Sequence, residues 1–124
     1  MENNVERIID ASLNRCREGL RVIEDALRFV LNDDTLYKEA RTIRHESDKI
    51  LRGFHTVLIS SRDTANDSGR KIPETQKKEL GEIIAANFKR SAEALRTLEE
   101  YSKVFSPIHS VDFKAQRYKV YNLE

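Results

Sequence analysis

Asn14-Arg15-Cys16-Arg17-Glu18-Gly19-Leu20-Arg21-Val22-Ile23-Glu24-Asp25 returns further along the chain as Lys89-Arg90-Ser91-Ala92-Glu93-Ala94-Leu95-Arg96-Thr97-Leu98-Glu99-Glu100. The shared skeleton is Arg-x-x-Glu-x-Leu-Arg-x-x-Glu. A helix that only packs must repeat its apolar positions, whereas its charges are free to drift. Here Arg15 and Arg90, Glu18 and Glu93, Arg21 and Arg96, and Glu24 and Glu99 all keep register with Leu20 and Leu95. The repeat therefore predicts two related helices that present similar polar groups to a shared place.

Around the first copy, Val5, Ile8, Ile9, Cys16, Leu20, Ile23, Leu27 and Val30 recur at helical spacing, with Asn3 or Asn4 available as N-cap. This predicts a helix from about Asn4 to about Leu31, closed by Asn32-Asp33-Asp34. Asp34 is the expected cap of a second helix through Leu36, Ala40, Ile43, Ser47, Ile50 and Leu51, ended or bent by Gly53. Residues 54–60 read equally as a helical turn or a short extended piece, and 61–72 as a loop rich in turn formers. Pro73 suits the first turn of a third helical stretch reaching about Phe105, with Ile83, Ile84, Phe88, Leu95, Leu98, Tyr101 and Phe105 on one side and Gly81 as a place for a kink. Ser106-Pro107 breaks it, and Ser110 or Asp112 is the expected cap of a last short helix holding Phe113, Tyr118 and Tyr121. The fold class is thus an all-α antiparallel helix bundle of two long, repeat-related helices and two shorter ones. It reads as one domain over 1–124, with 1–105 as the core bundle and 106–124 as a C-terminal extension.

Composition agrees. The 124 residues suffice for one real core, and 39% apolar with 35% charged residues is the balance of a charge-rich helical protein. A net charge of +1 argues against a dedicated nucleic-acid binder while permitting a local arginine cluster. One cysteine, Cys16, fits a reducing compartment, and no stretch approaches the roughly 20 apolar residues of a membrane span. The opening Met1-Glu2-Asn3-Asn4 lacks signal-peptide character, so a cytoplasmic location is expected.

Projected at about 100° per residue, the two copies place matching residues at matching angles. Ser12 and Asn87, Cys16 and Ser91, and Gly19 and Ala94 fall inside the apolar stripe; Arg15 and Arg90 flank it, with Glu18 and Glu93 a step further round. A mid-helix glycine costs roughly 1 kcal/mol relative to alanine, so Gly19 implies close packing, and the corresponding small Ala94 points to a crossing of the two repeat helices about a pseudo-two-fold axis. Asn87 reads either as a core amide satisfied by a neighbour or as a group facing a polar cavity near Arg90 and Glu93. Arg41, Arg44, His45 and Asp48 share one face of the second helix, which is a solvated surface in most long helices. Arg62-Asp63-Thr64-Ala65-Asn66-Asp67-Ser68-Gly69 combines carboxylates, arginine and glycine in the longest irregular segment, a pattern that suits Mg²⁺ with substrate phosphates or turn chemistry alone. No phosphate loop, dinucleotide fingerprint, zinc spacing or nucleophile elbow occurs. Glu79 and Glu82 form a single E-x-x-E pair with no second acidic motif.

Arg7 through Asp25, continuing to Arg28-Phe29, resembles the opening of the monofunctional hydroxymethylpyrimidine phosphate kinases of thiamine biosynthesis, a small helical domain that stands alone or is fused to thiamine phosphate synthase. Arg44-His45-Glu46, the Arg62-Asp63 to Gly69 loop, Asn87 with Arg90 to Tyr101, and the ending Arg117-Tyr118 to Glu124 extend the likeness. Ser12, Cys16 and Ser68 depart from the family's usual Asn, Ala and apolar residue. The resemblance implies transfer of the γ-phosphoryl of ATP, with Mg²⁺, onto 4-amino-5-hydroxymethyl-2-methylpyrimidine phosphate. It suggests Arg15, Arg90, Arg44 and Arg62 as phosphate holders. Glu18, Glu93, Asp63 and Asp67 are the metal candidates. Arg15, Glu18, Arg90, Glu93 and Asp63 form the reacting centre, and Asn87, Asn14 and His45 contact substrate. Two other readings stand beside it: a non-catalytic helical module that docks on thiamine phosphate synthase and passes on pyrimidine phosphate, and a nucleotide pyrophosphohydrolase. A bundle this small can also complete its pocket with a neighbouring subunit, so a homo-oligomer is compatible with the sequence.

Overall fold

The computed structural model describes residues 3–54, 79–104 and 106–124. These form four helices: α1 (Asn3–Asp25), α2 (Asp34–Ile50), α3 (Leu80–Ser102) and α4 (Pro107–Leu123), with no strand among the described residues. The all-α bundle expected from the sequence is the fold. α1 packs most extensively on α3, as the repeat requires, while α2 packs on α1 and α4 on α3, and α2 and α4 close the bundle. The open assignment of 54–60 falls largely outside the described residues, as do the loop 61–72 and Pro73; within reach is only the single 3₁₀ turn Arg52–Phe54.

The core is where the periodicity puts it. Ile9, Leu20, Ile23, Leu95, Leu98 and Phe113 are fully buried, each contributing roughly 1.5–3 kcal/mol by leaving water. Local departures have local causes. α1 does not run regularly to Leu31: Ala26–Val30 is a π turn, with Leu31 N–H donating to Ala26 O at 2.9 Å. The extra residue rotates the last turn, so Val30, expected inside, is exposed. Asn32 then takes φ 52°, a left-handed conformation that asparagine tolerates. The cap of α2 is Asp33 rather than Asp34; its carboxylate accepts from Leu36 N–H at 3.0 Å, and Asp34 pairs with Lys38 one turn on.

The last helix begins at Pro107, earlier than expected, because proline suits a first helical turn. Ser110 is therefore interior to α4 and buried, donating to the Glu99 carbonyl across the bundle at 2.7 Å. Of the aromatics on this helix Phe113 is buried while Tyr118 and Tyr121 are exposed; the inward face is Phe113, Gln116, Arg117 and Val120. The reason is electrostatic, since the Arg117 guanidinium is drawn inward by Glu99. No helix among the described residues is long and apolar enough to cross a membrane.

Candidate functional site

The repeated skeleton divides by position. Leu20 and Leu95 are both fully buried. Four residues on, Glu24 and Glu99 are buried too, and each is held by an arginine from the helix that follows. Arg44 of α2 donates through Nη2 to Glu24 Oε1 at 3.0 Å, and its Nε reaches the other oxygen. Arg117 of α4 lies with Nε and Nη2 both 3.0 Å from Glu99 Oε1. Both arginines are pushed further up from an already high value, Arg44 chiefly by its bond to Glu24, and Arg117 by the Tyr121 hydroxyl and Glu99. Buried carboxylates require such partners. The last Glu of each copy thus ties its long helix to the shorter one after it, so the duplication spans two helical hairpins rather than two helices. Arg21 and Arg96 also repeat a partnership, each reaching the acid four residues on, Asp25 and Glu100, at the exposed surface.

Arg44, expected at phosphate, is therefore engaged with Glu24. Asn14, expected at substrate, accepts from Arg17 Nη1 at 2.7 Å, and Arg17 Nε reaches Asp48 at 3.0 Å, linking α1 to α2. Sequence reading missed the roles of Arg17, Asp48 and Arg117. A signal for Arg117 exists: two buried glutamates at equivalent positions each demand a cation at a similar distance downstream.

Gly19 lies where the long helices meet. A Cβ built on it would sit 2.5 Å from Ser91 Oγ and 3.2 Å from the Asn87 carbonyl oxygen. The close crossing expected from the glycine is present, but the atoms nearest Gly19 belong to Ser91 and Asn87 rather than to the expected partner Ala94. Beside it Ser12, Cys16, Asn87 and Ser91 are all buried. Asn87 donates through Nδ2 to Ile83 O at 2.8 Å, while its Oδ1 has no partner. The hydroxyls of Ser12 and Ser91 are likewise buried without one. Burial pushes the Cys16 thiol up to about 12, with the charge of Asp48 adding to the effect.

Arg15, Glu18, Arg90 and Glu93 behave differently. All four are exposed, and no ion pair or hydrogen bond joins the two sets among the described residues. His45 is exposed as well. Arg62, Asp63 and Asp67 lie outside the described residues. Among the described residues no group of three or more His, Cys, Asp or Glu side chains is gathered to hold a metal ion. A cleft of about 410 Å³ opens elsewhere, between α2 and α4, floored by Ile43 and Leu123 and rimmed by Lys38, Glu46 and Lys119. Glu46 bridges that cleft, accepting from Gln116 and Lys119 of α4 at 2.9 Å each.

Comparison with known proteins gives these features a family. The chain is 44% identical to a thiamine-phosphate synthase of Nostoc punctiforme over 97% of its own length, but over only 34% of that protein. It is 40% identical to the synthase of Synechocystis and 39% identical to that of Rhodopirellula baltica, covering 35% and 32% of them. The chain thus spans about a third of the curated relatives it matches. No solved structure matches it. The expectation of a hydroxymethylpyrimidine phosphate kinase is corrected by these relatives: they carry the synthase's name, not a kinase's, and what this chain resembles is a domain-sized part of each. Residues 7–124 match the ThiD2 family, and the chain belongs to it.

Proposed function

We propose that this chain is a helical module of thiamine biosynthesis that works beside thiamine phosphate synthase, without catalysis of its own, by holding a phosphorylated pyrimidine and presenting it to the synthase. The observation that carries the reading is the division within the repeat. Glu24 and Glu99 are consumed by packing, whereas Arg15, Arg90, Glu18 and Glu93 recur in register yet remain exposed. Charges that a fold does not use, but that its duplication keeps, are available to a ligand or partner. Arginine suits phosphate because its planar fork gives two parallel hydrogen bonds. Similarity to a third of several synthases supplies the pathway. In this reading Arg15 and Arg90 engage the phosphate, and Asn87, whose Oδ1 is buried without a partner, lies three residues before Arg90 on α3.

The test is calorimetric titration with 4-amino-5-hydroxymethyl-2-methylpyrimidine phosphate, alone and with thiamine phosphate synthase present. Binding should weaken roughly 10–100-fold in Arg15→Ala and Arg90→Ala, the worth of a hydrogen bond to a charged group. Neither variant should lose thermal stability. Absence of binding to the pyrimidine phosphate under both conditions, or equal binding by the two variants and the wild type, refutes the proposal.

A further inference from the structure

The four helices do not share one pattern of burial. In α4 the buried side chains, Ser110, Phe113, Gln116, Arg117 and Val120, occupy one face, and the opposite face is apolar as well. There Ile108 is 76% exposed, Val111 66% and Tyr118 52%. With Ala115 and Asn122 they run at positions 108, 111, 115, 118 and 122, alternating steps of three and four. That is the seam of a two-stranded coiled coil, on a helix whose own bundle already satisfies its other side. We propose that this stripe is an interface for a second copy of the chain, α4 against α4 in antiparallel orientation.

The charges beside the stripe select both partner and direction. Asp112 and Lys119 lie on one flank, Lys114 and Tyr121 on the other. In a parallel pair opposite flanks meet, which sets Lys114 against Lys119 of the second copy, like against like. In an antiparallel pair equal flanks meet. Stacking Ala115 against Tyr118 of the second copy then brings Asp112 across from the other Lys119, and Lys114 beside the other Tyr121. Symmetry repeats each contact, so the patch complements itself, as a two-fold interface must. The small Ala115 near the axis lets the backbones approach. Lys119 is already positioned by Glu46 at 2.9 Å, and Tyr118 by its edge contact with Tyr121 and by the Arg117 guanidinium 5.1 Å from its ring centre. Preformed helix and preset side chains reduce the entropy cost that normally defeats so short a coiled coil. The interface uses none of the residues of the proposed ligand site and does not depend on that reading.

Sedimentation equilibrium over a concentration series tests it, with charge swaps as the diagnostic. Asp112→Lys alone sets two lysines against each other twice in its own dimer, and Lys119→Glu alone sets two acids together twice. Each should self-associate at least ~10-fold more weakly than the wild type, the scale of repulsion between close like charges. Mixed in equal amounts, they restore both opposite-charge contacts and should recover the dimer, which no merely structural effect of either substitution produces. Val111→Glu, at an exposed position where folding is not at stake, should abolish self-association while circular dichroism is unchanged. A wild type that stays monomeric throughout overturns the proposal. So does a dimer untouched by Val111→Glu, a mixture no better than its separate components, or a monomeric chain that uses this stripe to bind the synthase instead.

Discussion

Replacing Gly19 with alanine tests the contact on which the pairing of the two repeat helices depends. On helix propensity alone the substitution should stabilise α1 by roughly 1 kcal/mol. Against this, the new methyl would stand 2.5 Å from Ser91 Oγ and 3.2 Å from the carbonyl oxygen of Asn87. The hydroxyl can rotate, but Ser91 is wholly buried and has little room to do so. The carbonyl belongs to the α3 backbone, so relieving that contact means moving the helix outward. Overpacking of this kind costs typically 1–3 kcal/mol, giving a net destabilisation of about 1 kcal/mol, or roughly 4 °C in Tm for a domain of this size. Denaturant unfolding of the single variant, of Ser91→Ala and of the double variant supplies the assay. Removing the hydroxyl takes away the nearest clash, so the double variant should recover most of the loss, with a coupling of about 1 kcal/mol. Gly81→Ala is the control: nothing lies within 4 Å of its Cβ position, so only the propensity gain remains. If Gly19→Ala is as stabilising as Gly81→Ala, the close approach of α1 to α3 is refuted.

Breaking either duplicated ion pair from the acid side, as in Glu24→Ala or Glu99→Ala, should cost roughly 3–5 kcal/mol, because a buried guanidinium is left unpaired; thermal melts check this, and a loss near zero removes the pair from the frame. Glu46 is held below its ordinary value of 4.5 by its bonds to Lys119 and Gln116. Its contribution is therefore complete above that pH and fades as pH falls through the lower folded value, so the wild type's Tm should drop more steeply on acidification than that of Glu46→Gln. With its pKa pushed to about 12 and its side chain buried, Cys16 should resist iodoacetamide at mildly alkaline pH until denaturant is added. Mass spectrometry of native and denatured samples reads this directly, and rapid native alkylation would contradict the burial.

Much of this architecture was legible in the chain, because helical fold class follows from apolar spacing, which is local. Ile9, Leu20, Ile23, Leu95 and Leu98 all fall where a period of 3.6 puts them. What escaped depends on partners distant in sequence. Of Arg117 and Tyr118 it is the arginine that turns inward, because the carboxylate of Glu99 on another helix holds it, and the ring stays outside. The π turn at Ala26–Val30 has no mark in composition, yet it turns Val30 from the core to the surface. For the site the limit is different. Periodicity told which face Arg15 and Arg90 occupy, but not that Arg44 on another helix would be taken up by Glu24.

The repeat can now be given a physical division of labour. Within Arg-x-x-Glu-x-Leu-Arg-x-x-Glu, the leucine supplies burial and the last glutamate supplies the tie to the next helix. The second arginine satisfies the acid one turn further on. Only the first arginine and first glutamate have no such use among the described residues. A duplicated hairpin under purely structural constraint has no reason to keep them in both copies, as positions around them at or near the surface show: Asn14 faces Lys89 in the alignment and Val22 faces Thr97. Drift at those neighbours and identity at Arg15/Arg90 and Glu18/Glu93 distinguish the second requirement from the first. Under the proposed function, a ligand shared by the two copies would meet one arginine and one glutamate from each. The strongest test of that arrangement is therefore symmetry in the response, with Arg15→Ala and Arg90→Ala weakening the same ligand by similar factors. A large effect from one arginine and none from the other would leave the repeat a relic of duplication.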